Sequence, residues 1–93
     1  MIEALHAMAE GAIQAGLPAE IVARLAAATV EGAAALALDS EDSALTLRNK
    51  VASPGGTTVA ALASLEQDGF SAALVAAIHA AAGRSRELAS GDT

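Results

Sequence analysis

Residues 18–40 read PAEIVARLAAATVEGAAALALDS, and this stretch decides the fold. At 3.6 residues per turn it makes a helix of about six turns. One apolar stripe runs through Ile21, Leu25, Ala28, Gly32 and Leu36. A second runs through Val22, Ala26, Val30, Ala33 and Ala37, with Val30 one step off register. A helix with two apolar stripes is covered on more than one side. Pro18 suits the first turn of this helix, and Gly16 is a natural left-handed stop for one before it.

Working outward, residues 1–15 form a helix with Ile2, Leu5, Ala9, Ala12 and Ile13 on one face. After the long helix, Asp39-Ser40-Glu41-Asp42-Ser43 is a polar break rich in N-cap residues. A short helix over about 43–52 follows, closing on Arg48, Asn49 and Lys50, where cations suit the negative end of the helix dipole. Ser53-Pro54-Gly55-Gly56 breaks it. Thr57 or Thr58 is expected to cap a fourth helix to about residue 68, with Val59, Leu62 and Leu65 inward. Gly69 ends that helix. A fifth runs from Phe70 or Ser71 to about residue 89, anchored by Phe70, Leu74, Ile78 and Leu88, with a frayed tail over 90–93. Small residues recur at spacing four, at Ala7, Gly11 and Ala15 and at Ala73, Ala77, Ala81 and Ser85, a pattern that lets helices approach closely. The expectation is one all-α domain of about five helices over residues 1–93.

Composition supports this and narrows the function. Alanine fills 27 of 93 positions, and it is the best helix former and a poor strand former. No cysteine means no disulfide framework, thiolate chemistry or Cys-based zinc site. One aromatic, Phe70, leaves no stacking platform for single-stranded nucleic acid. A net charge of −6 argues against a phosphate-binding surface. The apolar runs at 22–38 and 72–82 carry Arg24 and Glu31 in one and His79 in the other. Residues 1–6 carry no basic stretch ahead of an apolar core. A soluble, cytoplasmic chain with no nucleic-acid or membrane partner is therefore expected. So small a domain with so few large side chains buries little area against its backbone entropy cost, which points to burial against a second chain.

Residues 51–59, VASPGGTTV, are the distinctive segment. A Gly-Gly turn exposes successive backbone N–H groups, and the following helix adds its own unpaired N–H groups and positive dipole end. Together these suit a carboxylate or phosphate. No lysine follows the glycines, so this is not a nucleoside-triphosphate loop. Judged by local pattern alone, the same residues also make a plain helix connector.

The run Val51–Thr58 with Leu62, Leu65-Glu66, Gly69-Phe70 and Arg84-Ser85-Arg86-Glu87-Leu88 resembles the C-terminal domain of pyrroline-5-carboxylate reductases. Residues 51–70, VASPGGTTVAALASLEQDGF, follow that family's signature closely. Glu3-Ala4, Ala15-Gly16-Leu17-Pro18, the helix holding Gly32-Ala33-Ala34 and Leu47-Arg48 extend the likeness over essentially the whole chain. The resemblance implies an interleaved helical homodimer, or a higher oligomer, in an enzyme that reduces 1-pyrroline-5-carboxylate to proline with NADPH or NADH. It implies substrate contacts at Val51, Ser53, Gly55, Gly56, Thr57, Thr58 and Glu41. The substrate carboxylate lies on the loop at 53–58, and Thr58 is the catalytic-site hydroxyl nearest the ring nitrogen. The nucleotide belongs to an N-terminal Rossmann domain. These 93 residues carry no GxGxxG motif and no βαβ pattern, so no cofactor or metal site is expected within them, and the chain by itself is expected to be inactive. Ser43-Ala44 stands where the family usually has His-Pro, which weakens the transfer at Glu41. A non-catalytic helical oligomerisation or small-carboxylate-binding module is the alternative reading.

The remaining polar residues suggest less. Glu3, His6 and Glu10 share a helical face that is best read as solvated rather than metal-binding. His79 is expected at an interface or partly buried, and Arg84 and Arg86 are expected to compensate a helix dipole.

Overall fold

The computed structural model describes residues 1–52 and 56–91. Five helices and no strand occur among them: α1 (Ile2–Gln14), α2 (Ala19–Asp39), α3 (Ala44–Val51), α4 (Thr57–Gln67) and α5 (Phe70–Ser90). The all-α reading holds, and each boundary falls within a residue or two of its expected place. The chain divides into two compact units, Met1–Asn49 and Lys50–Thr93.

In the first unit α1 packs against α2. Gly16 turns the chain between them at φ +111°, a left-handed conformation that favours glycine. The Gly16 N–H donates to the Ile13 carbonyl and the Leu17 N–H to the Ala12 carbonyl, both at 3.0 Å, which satisfies the last carbonyls of α1. Pro18 is the N-cap of α2, one position before the first turn. Of the two stripes on α2, the one through Val22 and Ala26 is buried and Val30 is half-buried, against the half-buried Ala4, Leu5, Ala9 and Ala12 of α1. The stripe through Ile21, Leu25 and Leu36 is exposed. Ile2 and Ile13, expected inward, are exposed as well. The α1–α2 pair thus covers one side of α2, where the sequence pattern calls for two. By length and composition α2 also passes as a membrane-crossing helix, with a mean hydropathy of 1.6 over its most apolar window.

The polar break before α3 works as the sequence suggests. The Ser40 hydroxyl accepts from the Asp42 N–H at 3.0 Å. The Ser43 hydroxyl caps α3 by accepting from the Thr46 N–H at 3.1 Å and donates to the Thr46 hydroxyl at 3.0 Å.

In the second unit α4 packs against α5. Gly69 joins them at φ +76°, its N–H donating to Glu66 at 3.1 Å while its carbonyl accepts from Ala73 at 2.9 Å. One glycine therefore ends α4 and begins α5. Val59 and Leu62 are half-buried, but Leu65 is 42% exposed, against expectation. The expected α5 anchors are exposed too, Ile78 at 67%. A helix pair supplies one contact stripe to each member, and α5 carries more apolar surface than α4 can cover.

Candidate functional site

The segment between α3 and α4 is the candidate site. Val51 is the last residue of α3 and is exposed. Ser53 and Gly55, with Pro54 between them, lie outside the described residues. Gly56 is half-buried and is the N-cap of α4, at φ −88° and ψ 173°. Any residue can adopt that conformation, so the backbone at 56 does not itself require glycine. Thr57 and Thr58 occupy the first turn and are exposed.

The helix cap differs from expectation. Neither threonine is the N-cap residue; both lie inside the helix, and α4 begins with no side-chain hydrogen bond at its cap and no acidic residue in its first turn. The reason is positional. A hydroxyl caps from the extended residue before the helix, where it can reach forward to the second or third N–H. Here Gly56 holds that place. Ala60 N–H donates to the Gly56 carbonyl at 3.3 Å, closing a backbone bond across the first turn. The N–H groups of Thr57, Thr58 and Val59 have no backbone partner among the described residues, as expected of a helix's first turn. The positive dipole end of α4 and two threonine hydroxyls thus lie at one helix end, with no acidic residue in the first turn to oppose them.

Glu41 is exposed in the break between α2 and α3 and belongs to the first unit, whereas Val51, Gly56, Thr57 and Thr58 belong to the second.

The other polar candidates have ordinary partners or none. His6 Nε2 lies 2.7 Å from Glu10 Oε1 on the exposed face of α1. Among the described residues no three His, Cys, Asp or Glu side chains form a group able to hold a metal. Arg84 Nη1 donates to Glu87 Oε2 at 3.0 Å, and the last turn of α5 contains no basic residue. Arg84 is therefore engaged with a neighbouring carboxylate rather than with the helix end. His79 is exposed beside Leu74, Val75 and Ile78, so it is not partly buried within the chain.

Comparison with known proteins places the chain. A family model described as pyrroline-5-carboxylate reductase dimerisation matches residues 1–88. A pyrroline-5-carboxylate reductase of Synechocystis is 48% identical over 84 residues, which cover 90% of this chain and 32% of that protein. One from Pisum sativum is 47% identical, covering 91% and 31% respectively. Among solved structures, a Plasmodium falciparum pyrroline carboxylate reductase with NADP bound superimposes with a TM-score of 0.81 at 27% identity, covering 87% of this chain and 32% of that one. The chain spans about a third of the length of the curated relatives it matches.

Proposed function

The chain belongs to the pyrroline-5-carboxylate reductase dimerisation family, and from that premise we propose that it pairs with a second copy of itself and contributes the substrate-carboxylate site of a proline-forming reductase. The observation that carries the pairing is the uncovered apolar surface. Val22 and Ala26 are the buried residues among those described, while Ile21, Leu25, Leu36, Val75 and Ile78 stand in solvent. Single exposed apolar residues are ordinary; whole helix stripes are not. Interleaving with a second copy supplies the cover that one copy lacks. It also gives the apolar stripe of α2 a protein neighbour in place of lipid, in keeping with a soluble protein.

The carboxylate site is the open end of α4. In this reading the first-turn N–H groups receive the two carboxylate oxygens of 1-pyrroline-5-carboxylate. The ring then lies over Thr57 and Thr58, and the Thr58 hydroxyl donates to the imine nitrogen. Val51 lines the entry. These groups bind and orient the substrate.

A nicotinamide dinucleotide does not fit the residues described. Its usual cradle is a glycine-rich turn from a strand into a helix, and the described residues contain helices without a strand and no GxGxxG. NADP is bound in the Plasmodium falciparum relative, and in the full-length enzyme we assign NADPH or NADH to a part other than these helices.

The site is tested by NMR titration with proline or a ring analogue. Movement of the amides of Gly56, Thr57 and Thr58, with the rest of the chain still, supports it. Movement elsewhere with these amides fixed shows the segment to be only a connector.

A further inference from the structure

We infer that α2 pairs with α2 of a second copy in an antiparallel two-fold contact, in which Glu20 of each chain faces the partner's Arg24 across a floor of Ile21 and Leu25. The inference rests on the dimerisation reading and adds to it a surface and a register.

Glu20, Ile21, Arg24 and Leu25 line a groove of 380 Å³ on the first turns of α2. Ile21 and Leu25 are about half exposed. Glu20 and Arg24 stand four apart in the order that favours an intrahelical ion pair. Yet among the described residues neither side chain makes an ion pair or hydrogen bond, whereas His6–Glu10 and Arg84–Glu87 close at 2.7 and 3.0 Å on their own helices. Two opposite charges therefore flank an uncovered apolar pair and are available to an outside partner.

The pattern selects that partner. A two-fold contact uses one patch on both chains, so the patch must complement itself. Rotating a copy of α2 about an axis level with residues 22 and 23 reverses its direction. At a rise of 1.5 Å per residue, this sets Glu20 opposite the partner's Arg24 and Ile21 opposite the partner's Leu25, each within about one residue. Ala19, Ala23 and Ala27 border these positions and allow close approach. Each copy then supplies the countercharges the other needs. A partner of uniform charge would meet a like charge at one end, and a lipid phase would have to accept both charges.

The test is sedimentation equilibrium on the full chain, on E20R, on R24E, and on an equimolar mixture of the two variants. Each variant by itself would gather four like charges at the seam, so self-association is expected to weaken at least about tenfold. The mixture brings an all-basic seam against an all-acidic one, and association returns to the wild-type level. An intrahelical role for these charges could not be rescued by mixing. Circular dichroism checks that both variants remain helical, as expected. Variants that dimerise as the wild type does, or a mixture that fails to recover, overturn the seam while leaving dimerisation intact; a monomeric wild type overturns both.

Discussion

Ile21 and Val22 are neighbours in sequence, yet Val22 is 1% exposed and Ile21 is 47% exposed. A step of about 100° around the helix carries the chain from the side that packs on α1 to a side that α1 leaves half exposed. In the proposed pairing, the two positions separate what holds one copy together from what holds two copies to each other.

Val22→Ala is therefore expected to destabilise the first unit by about 2 kcal/mol, through lost burial and the cavity left behind. Ile21→Ser should leave the helical content of the chain unchanged and weaken self-association instead. Urea unfolding and sedimentation, run on both variants, distinguish the two effects. Equal losses in both assays for both variants would contradict the division.

Ser43→Ala removes the hydroxyl that caps α3 and should cost about 1 kcal/mol. Ser43→Asp keeps an acceptor for the Thr46 N–H and should restore most of it. Unfolding midpoints of the wild type and the two variants check this; a Ser43→Ala midpoint equal to the wild type's would show that the cap contributes nothing measurable to stability.

Two glycines invite opposite outcomes on substitution. Gly69→Ala places a side chain at φ +76° and is expected to cost about 1 kcal/mol or more. Gly56→Ala, at φ −88°, meets no such strain and should leave stability nearly unchanged. Gly56→Val should still abolish carboxylate binding, because its branched side chain stands beside the first-turn N–H groups. Melting temperatures and a proline titration on the three variants read the contrast.

The helices were legible because their signals are local. Gly16 and Gly69 stop helices through conformational freedom, Ser43 caps through a hydroxyl three residues ahead of its donor, and the periodicity of α2 is written in Ile21, Val22, Leu25 and Ala26. The inward faces were less legible. Leu65, Ile78 and Ile13 repeat at helical spacing just as Val59 and Leu62 do, and periodicity does not say whether the cover comes from the same chain or another. The cap of α4 was misread because Thr57 and Thr58 are good cap residues, while the preceding Gly56 took the extended position that defines a cap. Glu20 and Arg24 did not stand out in the sequence, where a Glu and an Arg four apart look like an ordinary intrahelical pair; their lack of a partner is visible only in three dimensions.

Thr58→Ala should discriminate between ligands. The helix-end N–H groups are neutral donors, so a small carboxylate is expected to bind at about 1 mM, on the order of −4 kcal/mol. Acetate uses only those donors and should lose little. A cyclic imine or amine also uses the hydroxyl and should lose about 1 kcal/mol. Chemical-shift titrations with acetate and with proline, on wild type and variant, give the ratio; equal losses for both ligands would remove Thr58 from the ring-nitrogen role.

Self-association is the claim on which the others depend, and sedimentation equilibrium combined with melting at several protein concentrations tests it most directly. A dimer has no separately stable monomer when its helices interleave, so its melting temperature rises with concentration. The expected result is a mass of at least twice 9.1 kDa with such a rise. A folded particle of 9.1 kDa whose melting temperature ignores concentration would contradict it.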